Sequence, residues 1–430
     1  MASPTAVPLQ PGLREEADVC IVGAGPTGLA AATRLRQLGV ERVLLVEREE
    51  VAGGIPRHSQ HTGYGLGDMH RLLSGPRYAQ RLVAMALATG ATLRVATSAL
   101  DWNDDGSLVL VAPSGISSLK ARAVLLAAGC RERPRSARLV PGTRGAGVFT
   151  TGQLQQWVYL NHWPVGRRAV VVGAEHVSFS ALMTLRHAGV EPVAMVTEHP
   201  RPQTLAPLRW VTATARGVPV LTGRVVVAIA GRTRVESLAL RDVLTGEVQE
   251  IPCDTVVFTG DFVAESELAR RGGIALGTGP RALVIDASQR TSREGVFAAG
   301  NVVHPAETAS AAARCGDLAA RAVYKYLTTG AWPSREPITM IPESPIAWVS
   351  PSAIRPGESH IPHGHYLLRV SRFIDSARLE ICQGDSLLWT QAYKNMTPGR
   401  SVHVKGGWEA SARADGGPVS LRVRTLQRLG

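Results

Sequence analysis

The chain has 430 residues, 45% of them hydrophobic and 19% charged, as expected for an ordinary globular protein of two or three domains. No run of 18 apolar residues is present, so no integral membrane segment is expected. The net charge of +12 comes almost wholly from arginine, with only four lysines, and the arginines scatter through every segment. A nucleic-acid binder would gather them in a stripe or tail, so no nucleic-acid partner is expected. The five cysteines, at 20, 130, 253, 315 and 382, form no C-x-x-C. This spacing argues against a metal site, a cysteine-ligated cluster or a disulfide scaffold, rules out dithiol chemistry, and suits a cytoplasmic location.

Residues 1–12 lack a basic and then apolar leader and read as a loose terminus. Residues 17–50 follow as strand, glycine-rich turn, helix and strand: Ala17-Asp18-Val19-Cys20-Ile21-Val22-Gly23-Ala24-Gly25-Pro26-Thr27-Gly28, with Gly39 after the helix and Glu47 closing the second strand. Gly23 permits the tight turn, Gly25 lets backbone approach a diphosphate, and Gly28 lets helix and strand pack closely. The phosphates then lie at the helix N-terminus, and Glu47 is placed for ribose hydroxyls. A loop from Gly53 to Gly67 carries Gly54 and the run Pro56-Arg57-His58-Ser59-Gln60-His61. Its histidines are candidates for proton transfer or, with Arg57, for anchoring a carboxylate. A helix at about 76–89 precedes three strand-like runs at 91–97, 107–112 and 121–128, the last ending at Gly129.

The signature then recurs in damaged form. Ala169-Val170-Val171-Val172-Gly173-Ala174-Glu175-His176-Val177-Ser178 is followed by Gly189 and Glu198, and Gly23–Gly39 and Gly173–Gly189 share one spacing. Glu175 stands where Gly25 stood and Ser178 where Gly28 stood, so a side chain and a negative charge meet the place of a diphosphate. Either this is a nicotinamide site of altered geometry, or the fold persists without nicotinamide turnover; the second reading is favoured, with Glu198 still able to hold the ribose of an adenine nucleotide. Strands at 192–197, 255–260 and 295–301 follow, then an Ala-rich helix from about Thr308 to Leu327. Pro333, Pro337, Pro342 and Pro345 mark a linker, and residues 346–430 read as a small antiparallel β domain.

The N-terminal unit, Gly53-Gly54, Ala127-Ala128-Gly129 and Val296-Phe297-Ala298-Ala299-Gly300-Asn301 together resemble the glutathione-reductase-like flavoproteins with two dinucleotide-binding domains. The resemblance implies an α/β fold of two Rossmann-like domains, here with the C-terminal β domain added. It divides the chain into 15–145 and 263–335 for FAD, 146–262 for a degenerate second domain, and 346–430. It implies that Gly23, Gly25, Pro26, Thr27, Gly28, Glu47, Arg48, Gly53, Gly54, Arg57, His58, Gly129, Gly300, Asn301 and Thr308 bind FAD. Asn301 replaces the usual Asp on the ribityl chain, and the helix start at Glu307-Thr308-Ala309 would face the flavin pyrimidine ring. His58, His61 and His304 are the catalytic candidates.

Gly53-Gly54-Ile55-Pro56-Arg57-His58, the run Gly173–Ser180 and Phe258-Thr259-Gly260-Asp261 narrow the resemblance to the FAD-binding α subunits of heteromeric dye-linked dehydrogenases for hydroxyproline, proline, opines and glycine. That implies one component of a dehydrogenase for an amino or imino acid or a similar small acid. Its partners would be an amine-oxidising second flavoprotein and, in part of the group, a small [2Fe-2S] protein, with peripheral attachment at the inner membrane through partners. Several members end in a cysteine-rich cluster domain, whereas residues 346–430 hold only Cys382, so a cluster would come from another chain. Two alternatives stand: a self-contained NAD(P)H-dependent FAD oxidoreductase, and an accessory assembly subunit whose FAD is structural.

Overall fold

The computed structural model describes residues 14–204, 217–277, 281–305, 307–355 and 365–425; the expected loose terminus at 1–12 lies outside them. The chain divides into two compact units, one of 1–57, 62–130 and 264–430, the other of 58–61 and 131–263. Residues 131–145, expected in the first FAD segment, therefore belong to the second unit.

In the first unit the strand Arg14–Val22 runs parallel to Val43–Val46 on one side and to Gly115–Leu126 on the other. Val296–Ala298 pairs parallel with Gly115–Leu126, and Leu108–Ala112 and Ser98–Trp102 extend the same sheet antiparallel. Val19, Cys20 and Ile21 are buried in succession because both faces are covered, Val19 and Ile21 packing with Leu29, Leu82 and Val323 of the helices and Cys20 with Leu108, Leu110 and Ile285 on the other side, so the strand becomes a continuous apolar run. The helix Pro26–Gln37 buries Leu29, Ala31, Ala32 and Leu35. Against it lies Ala309–Thr329, whose inner face is Ala312, Ala313, Gly316, Ala319, Ala320 and Val323. These small residues bring the two helices close together: a Cβ on Gly316 would fall 2.1 Å from the Thr27 carbonyl oxygen.

The C-terminal strands belong to this unit and form two sheets around one core. Five strands run in the order Ala353–Ile354, Ile338–Pro342, Val419–Thr425, Ile374–Gln383, Ser386–Met396, and three in the order Ile346–Ser350, His365–Val370, Val402–Lys405. Two sequence expectations are corrected. The proline-marked linker is already structured, since Ile338–Pro342 is an inner strand. It also pairs parallel with Val419–Thr425, so the domain is mixed, not purely antiparallel. Proline ends the strand at 342, where its missing N–H costs no ladder bond.

The second unit carries a parallel sheet in the order Val148–Thr150, Thr255–Phe258, Arg168–Val172, Glu191–Val196, Val220–Leu221. A three-stranded antiparallel sheet, Arg224–Ala230, Ser237–Asp242 and Val248–Pro252, is added to it. The helix His176–His187 follows the central strand Arg168–Val172, as Pro26–Gln37 follows Arg14–Val22 in the first unit.

Candidate functional site

The start of the first helix is built from glycines with different duties. Gly23 has φ +105°, and a Cβ there would lie 2.5 Å from the Ala127 carbonyl oxygen; a Cβ on Gly28 would lie 1.9 Å from the Gly23 carbonyl oxygen. Neither position has room for a side chain. Gly25 instead faces open space, its nearest prospective neighbour being the Gly54 Cα at 3.9 Å. Gly25 is the N-cap of Pro26–Gln37, Pro26 fills the first turn, and no side chain caps the helix and no acid lies in that turn. The orphan N–H groups and the positive end of the helix dipole are thus left for an external anion, which fits the diphosphate of FAD.

Of the remaining cofactor candidates of this unit, Glu47, Gly53, Gly54 and Gly300 touch that start. Gly54 backs onto Gly25, and the Gly53 N–H donates to the Ala24 carbonyl at 2.8 Å. Glu47 is buried and accepts from the Ala24 and Glu49 N–H groups at 2.9 and 3.0 Å, which leaves a further lone pair on each oxygen for ribose hydroxyls. Arg48 is exposed, 3.8 Å from Glu49 and 3.9 Å from Glu265. Arg57 donates to the Val51 carbonyl and approaches Glu49, while its buried Nε has no hydrogen-bond partner among the described residues. Gly129, at φ +75°, has nothing within 4 Å of a prospective Cβ. Gly300, at φ +73°, is pressed against Thr27, whose hydroxyl donates to the Ala312 carbonyl at 3.0 Å. The turn at 300–303 therefore adjoins the first turn of the phosphate helix.

Asn301 and Thr308 are committed differently from the expectation. The Asn301 amide clasps the backbone of Glu307, accepting from its N–H at 3.1 Å and donating to its carbonyl at 3.3 Å. The Thr308 hydroxyl caps Ala309–Thr329 by accepting from the Ala311 N–H. Both side chains shape the loop before that helix, so a contact to the cofactor falls to the backbone and to the remaining donor and acceptor of Asn301.

The three histidines are divided between the two units. His58 and His61 group with the second unit, where buried His58 sets Nδ1 3.4 Å from Gln155 Oε1, and Gln155 donates to Ser180. His304 is buried in the first unit with Nε2 3.3 Å from the Cys315 thiol and Nδ1 without a partner among the described residues. Burial pushes its pKa down, which favours the neutral ring.

In the second unit the equivalent helix start is closed. Glu175 caps His176–His187 through a reciprocal box: its carboxylate takes the Ser178 N–H while the Ser178 hydroxyl takes the Glu175 N–H at 3.1 Å. The same carboxylate accepts from the Ser178 hydroxyl at 2.6 Å and the Thr259 hydroxyl at 3.0 Å. It lies over the turn glycines, 2.6 Å from a prospective Cβ on either Gly173 or Gly260. Glu175 is thus a built-in anion at the end that is bare in the first unit. Beside it Arg138 donates to the Thr259 and Gly260 carbonyls, both at 2.9 Å. Glu132 accepts from the Gly152 N–H at 2.9 Å and the Gly260 N–H at 3.3 Å, and burial pushes its carboxyl up to about 7. Glu198 is exposed. Sequence reading missed Glu132 and Arg138 because each reaches a partner more than a hundred residues away along the chain.

No disulfide joins any of the five cysteines. Burial raises Cys20 and Cys315 to about 12 and Cys253 to about 11, so these thiols stay protonated at neutral pH. Among the described residues no group of three His, Cys, Asp or Glu side chains is placed to hold a metal, and no helix is long and apolar enough to cross a membrane.

Comparison with known proteins places this geometry. The pattern of the pyridine nucleotide-disulphide oxidoreductase family matches residues 17–316. The thioredoxin reductase of Treponema pallidum is 27% identical, covering 73% of this chain and 97% of the relative. The ferredoxin–NADP reductase of Ignicoccus hospitalis is 26% identical over 73% and 99%. An opine oxidase subunit from Rhizobium meliloti is 26% identical over 72% and 63%. Among solved structures, T. acidophilum thioredoxin reductase aligns with a TM-score of 0.62 at 23% identity, covering 73% of this chain and all of that one, which speaks to the fold alone. With an open anion site at one helix start and a family match over most of its length, the chain belongs to the pyridine nucleotide-disulphide oxidoreductase family and is an FAD-dependent oxidoreductase.

Proposed function

We propose that this chain is the FAD-bearing subunit of a heteromeric dehydrogenase, taking electrons from the oxidation of an amino acid, imino acid or similar small acid and relaying them through a partner redox protein. The observation that carries the reading is Glu175: its carboxylate occupies the helix end that would receive the diphosphate of a nicotinamide dinucleotide. A negative charge there opposes a second one. The buried thiols of Cys20, Cys253 and Cys315, held protonated and joined by no disulfide, point away from a dithiol relay. The similarity to the opine oxidase subunit supports the substrate class. The partners would be an amine-oxidising flavoprotein and a small [2Fe-2S] protein, with attachment to the inner membrane only through them.

A second reading has specific support. The relatives matched over almost their whole length are a thioredoxin reductase and a ferredoxin–NADP reductase, which favour a self-contained NAD(P)H-dependent flavoprotein more strongly than opine oxidase favours the first reading. Stopped-flow mixing of the anaerobic holoprotein with NADH or NADPH separates the two. Under the first reading flavin absorbance persists, and it bleaches only with a small amino or imino acid in the presence of the partner. Fast, saturable bleaching by either nicotinamide establishes the second reading.

A further inference from the structure

Two fastenings tie the C-terminal β sheets to the stretch 285–309, one on each side of the strand and turn that hold Gly300. Ahead of the strand, Asp286 is buried and accepts from Arg290 Nε at 2.7 Å and from Arg355 Nε at 2.8 Å. The Ser352 and Ala353 N–H groups both donate to the Ile285 carbonyl at 3.1 Å. Beyond the turn, Arg369 of the strand His365–Val370 donates to Glu307 Oε1 at 3.2 Å, and Ser401 donates to the same oxygen. Arg369 and Glu307 are only 14% and 15% exposed, and the Arg369 guanidinium also lies 5.4 Å from the ring centre of Trp348.

Glu307 is a poor choice of residue for its place unless it is neutralised. Its backbone is clasped by Asn301, and it directly precedes the N-cap of Ala309–Thr329, the helix packed on the phosphate helix through Thr27 and Gly316. An unpaired carboxylate here would oppose both the diphosphate and electrons arriving on a cofactor seated in this cradle. Arg369 supplies the missing positive charge from outside the two-domain core.

We infer that the C-terminal β domain is a working part of the FAD site, in which Arg369 is a positioning residue that neutralises Glu307 and fixes the loop 300–308. The inference rests on FAD occupying the first unit and is independent of which donor reduces it. The expected effects have opposite signs. Arg369→Gln leaves the Glu307 carboxylate without its counter-charge, weakens FAD binding by roughly tenfold or more, and makes the flavin midpoint potential more negative. Glu307→Gln leaves an excess positive charge and moves the potential the other way, and the double variant returns toward the parent value. Arg369→Lys keeps the charge but not the fork, and rescues the potential more fully than the affinity.

The test titrates apoprotein with FAD by fluorescence and holoprotein with dithionite against an indicator dye, with thermal unfolding of the apoprotein alongside. Opposed shifts in the two single variants that cancel in the double support the inference. Lower unfolding temperatures with unchanged affinity and potential overturn it, leaving only a structural latch. Should Arg369→Gln fail to fold, Glu307→Gln and the double variant decide the matter by the same readouts. Rapid reduction of every variant by NADPH would sink the proposed electron source and leave this result standing.

Discussion

At the scale of single residues, the glycines of the first helix start separate folding from cofactor binding. Gly28→Ala drives a methyl into the Gly23 carbonyl and is expected to cost several kcal/mol and to deplete folded protein. Gly25→Ala meets only open space, so thermal unfolding of the apoprotein should stay within about 1 kcal/mol of the parent while FAD affinity falls at least roughly tenfold. Equal losses in both properties would mean that Gly25 serves packing and not the diphosphate. Glu132 gives a prediction in pH. Its folded-state pKa is raised from 4.5 to about 7, so the native protein holds a proton that the unfolded chain releases. Its cost is absent below about 4.5, grows as pH rises, and is complete above about 7, at an order of 3 kcal/mol. Unfolding temperatures of the parent should fall across that window relative to Glu132→Gln, and parallel curves would refute the buried-acid account. The turn at Gly23 and the close packing at Gly28 were legible in the sequence because a motif of fixed spacing encodes them. Glu132 was not, since its proton affinity comes from burial in the folded chain, which outweighs the N–H bonds from Gly152 and Gly260 that favour the carboxylate.

At the scale of elements, two helices with the same place in two βαβ units begin in opposite ways. Pro26–Gln37 starts bare, and His176–His187 starts with a carboxylate folded back on its own N–H groups. Glu175→Gly removes the box at a cost of about 1 kcal/mol and uncovers the anion site. Calorimetry should then detect tighter binding of ADP or NAD(P)H than in the parent; unchanged binding would show that Glu175 does not govern access. The substitution was visible in the sequence, but not that its carboxylate also engages Thr259. Strand positions were largely readable from apolar runs. The exception is Ile338–Pro342, where prolines suggested a linker; its pairing with Val419–Thr425 spans some eighty residues and leaves no local signal.

At the scale of the molecule, the β sheets at the C-terminus are fastened to the FAD-binding part by buried ion pairs at Asp286 and Glu307. Asp286→Ala removes the carboxylate that faces both Arg290 and Arg355, and breaking such a buried pair costs roughly 3–5 kcal/mol. Limited proteolysis should then cut between Ala309–Thr329 and the β sheets at conditions where the parent resists; equal resistance would show that the backbone bonds at Ile285 suffice. Sequence alone determined the two βαβ units, the glycine cradle and the absence of a cysteine pair, because local spacing and residue type carry each of these. Tertiary structure decided the rest. It turned Glu175 into an internal cap, carried His58 and His61 into the second unit, buried His304 against Cys315, and brought Arg369 and Ser401 to Glu307. The contacts Glu175–Thr259, His58–Gln155 and Arg369–Glu307 join side chains 84, 97 and 62 residues apart, so only the folded chain brings them together in low-dielectric surroundings, where a buried polar group must find its partner.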